Sequence, residues 1–392
     1  MKVLCTGDWH THNFTDFSKM ISVDWDSKTL RYERVYANNS HIPCKDMNSR
    51  LFYILKGICD MRDYCIDNGI KHILFSGDLF HKRANIEVTV FNAVHKVLKT
   101  FKEKGITVHI LAGNHDQVDS SQIPASAIYS LRDIAHVIEN PEYFLIDEDG
   151  EEVEVVAIPY SKDKNFILDS IKTFREKCTD SKSAILLTHL GISGGVTGSG
   201  MYVMSDEYNL KELSPELWKY IVLGHYHRPQ LLCKNTFYCG TPVQNSFNDE
   251  IKGDNGYNGF FIVDTSKRYD IEFIPLIAPR FVTVSSVEDL GGFTQEFLEN
   301  NYVRVKTKAE NVEEVKELLE QFGGEETLNE VRLELEKSYV TEARSDINVS
   351  MSFEDTIKTY VSEKCSDNDK KLKIENLGLE ILSEVVSGGG ES

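Results

Sequence analysis

The chain has 392 residues, 41% hydrophobic and 27% charged, a globular composition long enough for one large domain with appendages. No run approaches the ~18 consecutive apolar residues of a membrane span, and the opening MKVLCTGD enters a strand without a signal-peptide pattern, so a cytoplasmic protein with no membrane attachment is expected. The formal charge of −19 argues against a polyanionic partner, but residues 280–392 alone carry 25 acidic and 13 basic side chains, which leaves −7 on residues 1–279.

Through the first 280 residues, short apolar runs alternate with helical patterns. Strands are predicted at Val3–Thr6, Ile73–Ser76, Val108–Ala112, Val153–Ile158, Ala184–Thr188, Ile221–Leu223, Phe237–Cys239 and Phe260–Val263. Between them, Leu51, Ile54, Leu55, Ile58, Met61 and Cys65 share one helical face, as do Phe91, Val94, Val97, Leu98 and Phe101, with Gly105 placed to end the second helix. The alternation predicts an α/β sandwich with buried sheets. Residues 11–47 interrupt it: they are rich in aromatics (Phe14, Phe17, Trp25, Tyr32, Tyr36) without clear periodicity and read as an insertion. The loop SGGVTGSG at 193–200 is flexible by composition. The eight cysteines are scattered, none as CxxC, and are expected to be reduced thiols.

From about Arg280 a small α+β module is predicted. Val303 and Val305 alternate with charges, Val312, Val315, Leu319 and Phe322 form a helical face, and Val331, Leu333 and Leu335 alternate again. Beyond about residue 344 come a polar linker and two amphipathic helices, one with Phe353, Ile357, Tyr360 and Val361, the other with Ile374, Leu377, Ile381, Leu382 and Val385. The last residues, 387–392, have a disordered composition.

Five blocks sit where predicted strands run out: GDWH (Asp8, His10), SGDLFH (Asp78, His81), AGNHD (Asn114, His115, Asp116), LTH (His189) and GHYH (His225, His227). Open α/β sheets gather ligands at the carboxyl ends of strands, so these side chains can converge, and glycine precedes four of the blocks, as a tight exit from a strand requires. Carboxylate, amide oxygen and neutral imidazole suit hard or borderline divalent ions. Two ions ~3.5–4 Å apart can share one carboxylate, clamp a phosphate and bring a water's pKa toward neutrality. The expected ligands are Asp8, His10, Asp78 and His227 for one ion, and Asp78, Asn114, His189 and His225 for the other, with Asp78 bridging. His115 lies outside the set and is the candidate to orient the phosphate or protonate the leaving oxygen. His12, His41, His72, His95, His109 and His136 are assigned no role.

These blocks resemble the calcineurin-like metallophosphoesterases over roughly residues 1–275, and within them the SbcD-type nuclease subunits of double-strand-break repair and phage recombination. The resemblance implies a β-sandwich flanked by helices as nuclease domain (1–279), a small α+β capping domain (280–343) and a C-terminal helical docking segment (344–386). It implies manganese as metal, a 3′-to-5′ exonuclease on duplex ends with single-strand or hairpin endonuclease activity, and DNA as substrate. It further implies an ABC-type coiled-coil ATPase partner, a homodimer formed through helices at about 48–67 and 86–104, and a cytoplasmic or nucleoid-associated place in a bacterial or phage-infected cell. His81, three residues after Asp78, stands where this branch carries a histidine that assists DNA processing.

Two features depart from the family pattern. The insertion at 11–47 is either an aromatic-rich lid for unpaired bases or a decorative hairpin. The acidic C-terminal region is unlike a DNA clamp and suits either a partner-facing arm or helices folded back on their own domain. The alternative function on the same chemistry is a small-molecule phosphodiesterase or phosphoprotein phosphatase.

Overall fold

The computed structural model describes residues 1–36, 45–83, 85–118, 125–197, 202–203, 208–252, 256, 258–322, 331–335, 353–364 and 370–379. Met1–Leu335 form one compact unit and Glu336–Ser392 a second.

Two six-stranded sheets make up the larger part of the first unit. One has the order Ile271–Pro275, Gly259–Asp264, Lys2–Thr6, His72–Phe75, Thr107–Leu111, His136–Ile138; the other runs Gln230–Cys233, Thr236–Tyr238, Tyr220–Gly224, Ile185–His189, Glu151–Ile158, Glu142–Glu148. The central strands are apolar on both faces because both faces are covered. Leu4, Ile73, Phe75, Val108 and Ile110 point to a helix layer, while Val3, Cys5, Leu74 and Leu111 join Val155, Ala157, Ile185, Leu187, Val222 and Phe237 between the sheets. On the far side Val156, Leu186, Ile221 and Leu223 pack with Ile167 and Ile171 of a further helix, completing an α/β/β/α sandwich.

Helix α1 (Ser49–Asp67) starts where the Asn48 side chain accepts N–H bonds from Arg50 and Leu51. Its six predicted apolar residues are all buried. Helix α2 (Val88–Glu103) buries Val94, Val97, Leu98 and Phe101, and Gly105 follows it at φ +71°. The strands at His136–Ile138, Glu142–Glu148, Gln230–Cys233 and Ile271–Pro275 were not anticipated; three are edge strands and the fourth, Gln230–Cys233, is an edge strand too, where charged or polar residues mask the pattern.

The insertion is a folded element. Met20–Asp26, Arg31–Arg34 and Lys45–Asn48 form an antiparallel sheet with the longest strand central. Ile21 and Val23 bury against Phe52 of α1. Arg62 of α1, almost fully buried, donates to the Leu30 and Thr29 carbonyls (2.7 and 3.1 Å) and to Thr100 Oγ1 of α2 (2.9 Å). Arg31 pairs with Asp60 and Asp63, and Lys96 of α2 lies 4.2 Å from the Trp25 ring centre. The sheet is therefore latched onto the outer side of both helices.

The module from Arg280 is a parallel three-stranded sheet (Phe281–Val284, Tyr302–Thr307, Val331–Leu335), with Val312–Gln321 packed on it through Val315 and Leu319. In the second unit, Phe353–Lys364 and 370–379 are helical, and Gly378 lies against Ile357. The expected boundary at 343/344 and the apolar residues Ile381, Leu382 and Val385 lie outside the described residues. No helix among the described residues is long and apolar enough to cross a membrane.

Candidate metal centre

Strands 2–6, 72–75 and 107–111 run parallel in one sheet, and 151–158, 185–189 and 220–224 run parallel in the other. All five blocks leave at strand ends, and the first two loops continue the ladder: Asp8 N–H donates to the Gly77 carbonyl (2.8 Å) and His10 N–H to the Asp78 carbonyl (3.0 Å). The four glycines are required mainly by close approach. A Cβ on Gly7 would overlap Ser76, on Gly77 His189 and Gly113, on Gly113 Asp78, and on Gly224 Ser76 and His189. Only Gly77 also has a positive φ, +105°. Four polar residues of the blocks adopt positive φ themselves: Asp8 (50°), His10 (44°), Asp78 (60°) and His225 (109°).

The expected ligands meet in one place. Asp78 Oδ2 lies 3.6 Å from His10 Nε2 and 3.5 Å from His189 Nε2. Asn114 Oδ1 lies 2.9 Å from His189 Nε2 and 3.1 Å from His225 Nδ1. Ligand atoms of Asp8, His10 and His227 lie within 4.8 Å of one another, as do those of Asp8, Asp78 and His189. Asp8 also accepts the His225 backbone N–H (3.0 Å).

The donor chemistry fits a cation. The Ser76 carbonyl can only accept, so His189 Nδ1, 2.8 Å away, carries the proton of the neutral ring. Its Nε2 is then a lone pair facing the oxygens of Asn114 and Asp78, which are lone pairs too. His10 is fully buried, and neither ring nitrogen has a hydrogen-bond partner among the described residues. Such a cluster is costly in a protein interior unless positive charge lies among it. The electrostatics agree: burial and the Asp78 charge push Asp8 up to about 6, and burial drives His10 well below the usual imidazole range and His225 down to about 3. His227 goes the other way, up to about 9: burial lowers it, but the charge and hydrogen bond of Asp249, with the charges of Asp8 and Asp78, together raise it more.

His115 and His81 adjoin the cluster. His115 donates its backbone N–H to Asp78 Oδ1 (2.8 Å) and its Nδ1–H to the His81 carbonyl (2.6 Å), so proton exchange at that ring must use Nε2. Its ring meets that of His10 edge-on at 4.8 Å. Burial lowers His81 to about 4. His12, given no role from sequence, is buried and stacks on His81 at 5.4 Å. His72, His109 and His136 form a chain of ring contacts (3.2 and 2.9 Å) ending on Glu142, and His95 faces Asp133. His41 lies outside the described residues.

Two residues that hold the site were given no role from the sequence. Asp116, inside the AGNHD block, accepts four backbone N–H groups: Asp78 and Gly113 on one oxygen, Leu79 and Phe80 on the other, at 2.8 to 3.1 Å. It ties the second block to the third, and its position beside Asn114 was the available signal. Asp249 accepts from His227 Nδ1 (2.9 Å) and from the Asn245 and Ser246 N–H groups. Nothing in the sequence around FND marks it.

A family description, calcineurin-like phosphoesterase, matches residues 1–229. The chain belongs to that family. Calcineurin-like phosphoesterases bind a dinuclear metal centre, and the cluster above is where this one can hold it. The chain is 28% identical over 248 residues to the DNA double-strand break repair protein Mre11 of Methanocaldococcus jannaschii, a match spanning 60% of this chain and 63% of that protein. It is 25% identical over 276 residues to exonuclease subunit 1 of Enterobacteria phage T4, spanning 70% of this chain and 68% of that one. Among solved structures, a dimetal phosphatase from Danio rerio is similar at 10% identity and a TM-score of 0.39, covering 67% of this phosphoesterase and 91% of that chain.

Proposed function

We propose that this calcineurin-like phosphoesterase is the nuclease subunit of a DNA repair or recombination complex. The observation that carries the metal chemistry is the convergence of seven donors, among them His10, neither of whose buried ring nitrogens has a hydrogen-bond partner among the described residues. Asp8, His10, Asp78 and His227 would hold one ion; Asp78, Asn114, His189 and His225 the other. When bound, the pair supplies charge neutralisation for a phosphodiester and an activated water. The protein's own part is to orient and to move protons. His115, with Nδ1 committed to the His81 carbonyl, presents Nε2 for the phosphate or the leaving oxygen, and His81 stacks beside it at 5.7 Å.

Duplex exonuclease and single-strand or hairpin endonuclease activity, manganese as the metal, an ABC-type ATPase partner and a homodimer belong to the same reading. What supports them is the likeness to a DNA double-strand break repair protein and an exonuclease subunit, the module at 280–335 and the amphipathic helices of the second unit. The test is incubation of the purified chain, alone and with a coiled-coil ATPase encoded beside its gene, with linear duplex DNA in manganese. Degradation of DNA supports the reading. Intact DNA alongside rapid hydrolysis of cyclic nucleotides or phosphopeptides would sink it and favour the small-substrate phosphatase.

Two further outcomes are expected. His115→Ala should lose about 10²–10⁴-fold in cleavage rate while binding two manganese ions per chain, as counted by metal analysis. Asp249→Asn removes the negative partner of His227, and manganese affinity should fall about 10–100-fold in calorimetry.

A further inference from the structure

We propose that Arg50 is a positioning residue of the metal centre, joining it to the module at 280–335 through a packed aromatic seam. The proposal rests on the metal-centre reading. Arg50 sits in the first turn of α1, yet it is buried, an unusual place for a guanidinium without several partners. It donates to the Asn245 carbonyl (2.5 Å) and to the Asp16 carbonyl (3.0 Å).

The first of these bonds opens a short relay. The Asn245 N–H donates to Asp249 Oδ2 (2.8 Å), and Asp249 Oδ1 accepts from His227 Nδ1 (2.9 Å). Arg50 therefore fixes the turn whose carboxylate orients a metal ligand. Its guanidinium also lies 4.0 Å from the centre of the Phe14 ring, which packs 5.0 Å from His81 and 5.3 Å from His12. One side chain thus supports the site from two sides, neither of them a ligand.

Further contacts come from the 280–335 module. Phe281 and Tyr302 face the same guanidinium at 5.0 and 5.5 Å. Phe281 meets Phe247 edge-on at 4.8 Å, and Arg304 lies 4.0 Å from the centre of the Phe247 ring. The Phe281 N–H donates to Gln244 Oε1 (2.7 Å) and the Thr283 N–H to Glu250 Oε1 (2.9 Å). The turn at 244–250 is thus gripped by the module on one side and by Arg50 on the other, with Asp249 between. Lysine cannot replace the planar fork that bonds two carbonyls while stacking on rings.

The experiment compares wild type, Arg50→Lys and, from the module side, Phe281→Leu. For each, manganese binding to the metal-free protein is measured by calorimetry, folding by circular dichroism and thermal melting, and kcat and KM on bis(p-nitrophenyl) phosphate, a small ester. The expected result is a folded Arg50→Lys protein whose weaker manganese Kd rises about tenfold. Its kcat should fall with KM within about twofold, and Phe281→Leu should shift both in the same direction by less. Wild-type Kd and kcat in folded Arg50→Lys would overturn the proposal. If Arg50→Lys does not fold, Phe281→Leu decides: unchanged Kd there overturns it, and a weakened Kd supports it. Wild type that takes up no manganese overturns the metal-centre reading itself.

Discussion

Asp78→Asn protein is expected to fold and melt cooperatively, yet to hydrolyse no phosphodiester and to gain no stability from manganese. Asp78 is the carboxylate between the two halves of the site, 3.6 Å from His10 and 3.5 Å from His189, while its other oxygen accepts the His115 N–H. Asparagine keeps the shape and that acceptor but removes the negative charge from the shared position. In the metal-free protein this relieves repulsion, because the Asp78 charge is among the causes that push Asp8 and Asp116 up. The metal-free variant should therefore melt no lower than wild type. The difference shows when metal is added. Wild type should be stabilised by about 2.7 kcal/mol for each bound ion at a metal concentration one hundred times its Kd, and the variant by nothing measurable. Paired melting curves with and without manganese read this directly. A variant still stabilised by manganese would remove Asp78 from the bridging position.

The second large effect needs no change of ligand. Gly113→Ala should abolish hydrolysis although every donor remains. A Cβ at 113 would overlap the Asp78 side chain and backbone N, and the ends of two neighbouring strands, held in register in one sheet, cannot back away from it. Overpacking of this kind costs about 1–3 kcal/mol in a well-packed core, and here the atom displaced is the shared carboxylate. Gly105→Ala is the control. It carries φ +71° with nothing near its Cβ direction, so it should cost about 1–2 kcal/mol of stability and leave activity intact. Activity assays on both variants, with melting temperatures, separate the two roles of glycine. Active Gly113→Ala protein would contradict the close-approach explanation.

The contrast shows what could be read from residues alone. The five blocks were legible because the chemistry restricts residue type and the fold restricts position: a donor must follow an apolar strand. Helices α1 and α2 were legible because their buried faces repeat at helical spacing. The insertion was not, because among its described residues the buried apolar pair is Ile21 and Val23, and much of what anchors it comes from elsewhere in the chain, through Arg62, Asp60 and Asp63. Asp249 was hidden for a similar reason. Its partners are one imidazole 22 residues away and the N–H groups of its own turn, and neither leaves a pattern. Glycine before a block was expected to serve backbone freedom; at Gly7, Gly113 and Gly224 it serves instead the absence of a side chain.

The backbone at Asp8, His10, Asp78 and His225 has a consequence for how this protein can change. Non-glycine residues held at such φ values cost about 1–3 kcal/mol each, and the surrounding sheets must sustain that cost whether or not an ion is present. The expense of ordering the donors thus falls on folding, and an incoming cation meets groups already arranged, which favours affinity. It also sets stability against function. Glycine at 225 would relax the chain and remove a donor in one step, so a gain in stability at that position would come at the expense of the metal centre.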